Sequence, residues 1–230
     1  MKRILLAATA LAVCASVPAA IAQKLPDKPP KKPSDNPVDT TRGQPGTLSL
    51  TVTPNPVKFG RSVTISGHLE APNNTGRTIT LREDPFPFDD LSNVGSADTD
   101  TQGNYSFVRS PTMNTNYQVR RGGVESQTVT VAVKPSVSLR FGDRTPPAGK
   151  RVRLSGKVCP EHDGGTLEIQ RRKAPKQWRT VGRVMLADAG TCSSYRRRLR
   201  VRRDGAFRTF FAADSDHAAA RSRVRRIDVH

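Results

Sequence analysis

Arg196, Arg198, Arg200 and Arg202 occupy alternate residues, and Arg151, Arg153 and Lys157 follow the same period earlier in the chain. Guanidinium groups are planar and permanently charged, and their forked N–H donors match phosphate, carboxylate and sulfate oxygens. A row of them at a two-residue period can hold an anion, and binding through it weakens steeply with salt. A second group has the chemistry of a cation site. Asp98, Asp100 and Gln102 place side-chain oxygens on alternate residues just ahead of Gly103, the pattern that opens a calcium loop, and Glu83, Asp84, Asp89 and Asp90 are read into the same long loop. The closing glutamate of such a loop is missing, with Arg109 in its place, so ordinary turn formation by Asp and Gly competes with calcium.

The catalytic inventory is thin. His68 lies among Ser and Thr, His162 in a turn, His217 in a polar loop and His230 at the end. No His-Glu-x-x-His helix, Gly-x-Ser-x-Gly elbow or phosphate-binding glycine loop occurs, so the reading is a non-enzyme without a cofactor. Trp178, Phe207, Phe210 and Phe211 read as core or rim residues, which leaves no aromatic platform for stacking bases and argues against sequence-specific nucleic acid. Cys159 and Cys192 form an even pair once Cys14 is set aside, and a disulfide fits them better than a metal, because no CxxC or CxxH spacing accompanies them.

The elements that would position these residues follow from periodicity. Leu48, Leu50 and Val52 alternate, as do Val63, Ile65 and Leu69, Ile79 and Leu81, Tyr105 and Phe107, Tyr117 and Val119, and Val129, Val131 and Val133. Turn clusters separate them, and no segment keeps a helical period, which predicts short antiparallel strands. The pattern then recurs. Residues Phe59-Gly-Arg-Ser-Val-Thr-Ile-Ser-Gly67 reappear as Ala148-Gly-Lys-Arg-Val-Arg-Leu-Ser-Gly156, with Tyr105 mapping onto Tyr195 and Tyr117 onto Phe207. The strands of the second copy run through Val137–Leu139, Val152–Val158, Leu167 and Ile169, Trp178–Val181, Tyr195–Val201, Phe207–Phe211 and Val224–Val229.

If Val152, Leu154, Val158, Tyr195, Leu199 and Val201 point inward, then Arg151, Arg153, Lys157, Arg196, Arg198, Arg200 and Arg202 point outward. Arg197 falls on the inner face and reads as a bulge or a rim position. The charge is uneven. Residues 47–133 hold 7 Lys and Arg against 8 Asp and Glu, whereas residues 135–230 hold 23 against 9, and the whole chain carries +18. Solvated charge with no ligand competes with anion binding as the explanation.

The amino terminus reads as a secretory signal over residues 1–22: a basic start, an apolar run and an Ala20-Ile-Ala22 end. An uncut anchor and a lipidated Cys14 are the alternative fates of that segment. Residues 23–46, with six prolines and few large apolar side chains, read as a disordered linker.

The Gly-x-x-Val-x-Ile/Leu-Ser-Gly strand of each copy, Thr101-Gln-Gly-Asn-Tyr105-Ser-Phe107 and Gln177-Trp178-Arg-Thr-Val181 resemble tandem immunoglobulin-like or fibronectin type III-like modules of exported bacterial proteins. The resemblance implies an all-β chain, with one antiparallel sandwich over 47–133 and another over 135–230. It also implies that the strands ending at Cys159 and starting after Cys192 are neighbours in one sheet, merging their basic rows. The module would be secreted or envelope-associated and would meet an anionic envelope polymer or polysaccharide. It would meet a membrane only if the signal segment is retained. A spacer or adhesion module without a ligand is the alternative.

Overall fold

The computed structural model describes residues 46–230, so the segment read as a secretory signal and nearly all of the segment read as a linker lie outside the described residues. The described residues are all-β, with no helix among them. Ten longer strands form the frame: β1 Val63–Glu70, β2 Thr78–Pro85, β3 Ser92–Asp98, β4 Asn104–Arg109 and β5 Thr115–Arg121, then β6 Arg151–Cys159, β7 Thr166–Ala174, β8 Gln177–Met185, β9 Ser193–Arg200 and β10 Gly205–Phe211.

The N-terminal half has two antiparallel sheets. In one, Thr47–Leu48 and Thr51–Thr53 pair with β1, which pairs with β4. In the other, Val129–Val131 pairs with β5, followed by β2 and β3. A short parallel pair, Val57–Lys58 with Val133–Lys134, closes one edge. The C-terminal half repeats this order. Ser136–Val137 and Arg140–Phe141 pair with β6, followed by β9 and Ala187–Asp188. Ala220–Arg221 and Arg225–Ile227 pair with β10, followed by β7 and β8.

In the N-terminal half one core joins both sheets: Ile65 and Leu69 from the first meet Ile79, Leu81, Tyr117 and Val119 from the second. Each is a large side chain with almost no exposure, and burial of that kind contributes about 1.5–3 kcal/mol per side chain. The C-terminal core is divided. Val158, Leu167, Tyr195 and Phe211 form one cluster, and Leu154, Ile169, Phe207 and Ile227 another. Two substitutions within the repeat coincide with the division. Phe107, opposite Ile65, is replaced by Arg197 opposite Leu154, and Val119, opposite Leu81, by Thr209 opposite Ile169.

The alternating run Leu48–Val52 is not one strand but two, and the run at Val137–Leu139 is likewise broken. The same device interrupts both. The Ser49 carbonyl accepts the Tyr105 hydroxyl, and the Ser138 carbonyl accepts the Tyr195 hydroxyl at 2.5 Å. With that carbonyl withdrawn from the ladder, the serine hydroxyl replaces it, accepting the His68 amide in one half and the Lys157 amide in the other, each at 2.9 Å. The tyrosine reaches its carbonyl across Gly67 or Gly156, where a Cβ would overlap both the carbonyl oxygen and the phenol. The repeated Ser-Gly motif is therefore a packing requirement: only glycine lets the hydroxyl pass.

The expectation of one long acidic loop is corrected by β3, which pairs along β2 with a bulge between Leu81 and Arg82. Its Ser, Asn, Gly, Ala and Asp side chains lack the bulky apolar alternation that marks a strand, because β3 is a sheet edge with no buried residue. Trp178 and Phe210 also depart from the expected core or rim. They lie half-buried on the outer face of the β7–β8–β10 sheet, whereas Phe207 and Phe211 are in the core.

Candidate anion-binding face

β6 and β9 are antiparallel neighbours in continuous register, with Arg151 opposite Arg200, Arg153 opposite Arg198, Ser155 opposite Arg196 and Lys157 opposite Ser194. Val152, Leu154, Val158 and Tyr195 are buried on the other side, so Arg151, Arg153, Lys157, Arg196, Arg198 and Arg200 share one exposed face, and Arg202 is exposed just beyond β9. Like charges directly opposite on a sheet destabilise it, by up to about 1 kcal/mol per pair. The apolar residues on the inner face outweigh that, since each contributes more than one such pair subtracts.

Among the described residues, no carboxylate lies within ion-pair distance of any of these cations. Arg200 donates from Nε to the Gly149 carbonyl at 2.9 Å, which fixes its stem and leaves its charge uncompensated. The row extends to a residue that the sequence did not single out. Arg140 sits opposite Ser155 on the strand flanking β6, so Arg140, Ser155 and Arg196 line up across three strands. A groove of about 600 Å³ runs over this part of the sheet, lined by Ser138, Arg140, Ser155, Lys157, Arg196 and the exposed Met185 among others.

Arg197 is a rim residue and not a bulge, since the register runs through it unbroken. It faces inward opposite Leu154, and its guanidinium passes Gly182 to donate to the Arg183 carbonyl on the facing sheet. The outer face of that sheet has a different basic chemistry. Arg172 and Arg208 lie over Trp178 at 5.1 and 4.1 Å, and Arg221 lies over Phe210 at 5.3 Å. Burial, with Arg221 and Arg172 nearby, holds Arg208 below its usual range. Glu168 ion-pairs with Arg183 on this sheet, and hydrogen bonds from Thr180 and Gln170 lower its pKa. Charge there is partly spent on internal partners.

The disulfide joins Cys159 at the end of β6 to Cys192 just before β9, with a Cα–Cα distance of 4.4 Å. It staples neighbouring strands of the basic sheet at one end of the face.

The N-terminal half has an equivalent groove of about 650 Å³ in the same place, lined by Thr51, Ser66, His68, Asp98, Asp100 and Ser106 among others. Its acidic residues are engaged locally. Asp100 accepts the Gln102 and Asn104 amides from one carboxylate oxygen, at 2.8 and 2.9 Å, and hydrogen bonds from Asn104 head the causes that lower its pKa. Asp98 accepts the Thr78 hydroxyl at 2.7 Å, and the Gln102 side chain accepts from Asn104 at 3.4 Å. Glu83, read with the same loop, sits on β2 and pairs with Arg109 at 3.0 Å. Asp98 therefore ends β3, and Asp100 and Gln102 stand in a hydrogen-bonded turn that carries the chain from one sheet to the other. Among the described residues the convergent His and carboxylate groups lie elsewhere, at His162, Asp214, Asp216 and His217. No sequence pattern announced that group, since it joins two loops about 50 residues apart.

No protein-family model matches the chain, and no curated protein sequence matches it.

Proposed function

We propose that the chain is a non-catalytic exported binding protein, secreted or held at the cell envelope, built as two tandem immunoglobulin-like sandwiches of which the second binds an anionic polymer or polysaccharide. The carrying observation is the matched pair of grooves. Thr51, His68 and Ser106 of the first correspond to Arg140, Lys157 and Arg196 of the second, on the same backbone frame. Cations without internal partners, spread over three adjacent strands, suit a ligand with repeated charges. A spacer whose arginines are merely solvated is the alternative.

Retention of the full chain on immobilised heparin, as a model polyanion, separates the two. Binding is expected at low ionic strength and should fall steeply as salt rises. Arg196→Glu with Arg198→Glu should weaken it by more than about tenfold, while Arg225→Glu with Arg226→Glu, an equal change of charge off this face, should change it less than about threefold. Equal losses in the two double variants would reduce the face to diffuse charge. Absence of salt-dependent retention would leave the spacer reading.

A further inference from the structure

The loop after β10 brings Asp214, Asp216 and His217 against His162, which lies in the loop between β6 and β7. We propose that these four side chains form a binding site for a divalent transition-metal ion of the zinc type, placed where the C-terminal half meets the N-terminal half.

The tautomers can be assigned from the partners. His162 Nδ1 lies 2.9 Å from the Pro160 carbonyl and His217 Nε2 lies 2.8 Å from the Thr112 carbonyl. A carbonyl only accepts, so each of those nitrogens carries the proton, and in the neutral ring the other nitrogen presents a lone pair. Those other nitrogens, His162 Nε2 and His217 Nδ1, are buried and have no hydrogen-bond partner. The two side chains are only 8% and 2% exposed. A buried acceptor left unpartnered loses its solvation with nothing in return, so two side by side call for something that takes lone pairs.

The donor geometry fits a small cation. His162 Nε2 lies 3.3 Å from an Asp214 carboxylate oxygen and His217 Nδ1 lies 3.3 Å from an Asp216 oxygen. These distances suit an ion pair, but the groups are not aligned for a hydrogen bond. Four ligands about 2.0–2.1 Å from a central ion stand about 3.4 Å apart along a tetrahedral edge. Two edges thus have the required length, and all four ligand atoms lie within 4.8 Å of one another. Two imidazoles with two carboxylates favour zinc and its neighbours over calcium or magnesium, which take oxygen shells of six or more.

The surroundings are those of a supported site. Each histidine donates its far N–H to a backbone carbonyl, the outer arrangement that fixes a metal-binding ring. Asp214 uses one oxygen to accept the His217 amide at 2.7 Å, which aims the other toward His162. A pocket of about 320 Å³ reaches His162 and Asp214 from solvent and offers a way in. The loop is also tied to the N-terminal half, since Asn114 N donates to the Asp216 carbonyl at 2.8 Å and Ala218 N to the Val133 carbonyl at 2.7 Å. An ion held here would stiffen that junction.

The test titrates chelator-treated full-length protein with Zn²⁺ by calorimetry and with Co²⁺ by visible absorption. One equivalent should bind, Co²⁺ should give the intense bands of a tetrahedral site, and Zn²⁺ should slow proteolysis near Lys134–Pro135. Asp214→Asn and Asp216→Asn should each weaken Zn²⁺ binding by at least about tenfold while keeping the circular dichroism spectrum. His162→Gln serves if either fails to fold. No stoichiometric uptake by the folded wild type would leave the four groups as simple His–Asp pairs and overturn the site. Uptake undiminished in the variants would overturn it as well.

Discussion

The two halves share a frame and differ in what they mount on it. Both lock a flanking segment to the central strand with a tyrosine hydroxyl that crosses a glycine to a serine carbonyl, and both have a groove above that lock. Above the frame, a neutral-to-acidic lining in the first half becomes a basic one in the second. Below it, a continuous core becomes a divided one where Arg197 and Thr209 replace Phe107 and Val119. The lock therefore tolerates change on both sides of the sheet. The contrast also suggests that the second half, with less continuous apolar packing and unpaired like charges, relies on its covalent staple.

Removing that staple should have the largest effect. Closing a loop of 33 residues is worth roughly 3–4 kcal/mol on the loop-entropy estimate. Cys159→Ser with Cys192→Ser should lower the stability of the C-terminal half by that amount, read by hydrogen exchange and mass spectrometry, and leave β1–β5 protected as before. An equal loss in β1–β5 would show that the halves unfold as one, and the comparison would then describe chemistry without separate stabilities.

Alkaline pH offers a second way to separate them. Burial pushes Tyr105, Tyr117 and Tyr195 up to about 12. A phenol that holds its proton more tightly folded than unfolded stabilises the fold fully below its unfolded pKa of about 10. That stability is lost as pH rises from about 10 towards 12, because the unfolded chain releases its protons first. Each tyrosine accounts for about 2–3 kcal/mol, and the first half has two of them against one in the second. Tyrosinate absorbance should therefore register the first half unfolding at a lower pH than the change in Trp178 fluorescence, which reports the second. Three tyrosines titrating near 10 in the folded chain would remove the basis for this difference.

How much of this was legible in the sequence depended on range. The inward residues of β1, β6 and β9 were plain from alternation, and so was the outward row Arg151, Arg153, Arg196, Arg198 and Arg200. The pairing of Cys159 with Cys192 followed from there being two candidates. β3 was missed because an edge strand with no buried side chain needs no apolar period. Arg140 was missed because its strand is only two residues long and shows no alternation. The serines of the lock, Ser49 and Ser138, stand at equivalent positions, but their role is to replace a carbonyl in a ladder, which spacing does not reveal. Ser126 and Ser222 were hidden differently. Each hydroxyl accepts the amide of a buried strand residue, Val119 or Thr209, yet unequal loops put them out of step with the rest of the repeat.

The smallest expected effect probes the lock itself. Tyr105→Phe and Tyr195→Phe each remove one hydroxyl and leave the Ser49 or Ser138 carbonyl without its donor, while the serine hydroxyl still holds the ladder together. A single such hydrogen bond is worth about 1 kcal/mol net, and the stranded acceptor raises the cost towards about 2 kcal/mol. Tyr195 has one further contact, 3.4 Å to the Thr209 hydroxyl, which is long for an O–H···O bond and adds little. The two substitutions should therefore cost the same within about 0.5 kcal/mol in denaturant unfolding, although the halves differ in core, charge and disulfide. A clearly larger loss for Tyr195→Phe would tie the tyrosine to Thr209 and make the polar interruption of the second core part of its support. A loss near zero in both would mean that the serine hydroxyls alone hold the flanking segments, and that Gly67 and Gly156 are needed only to let the tyrosine ring lie flat.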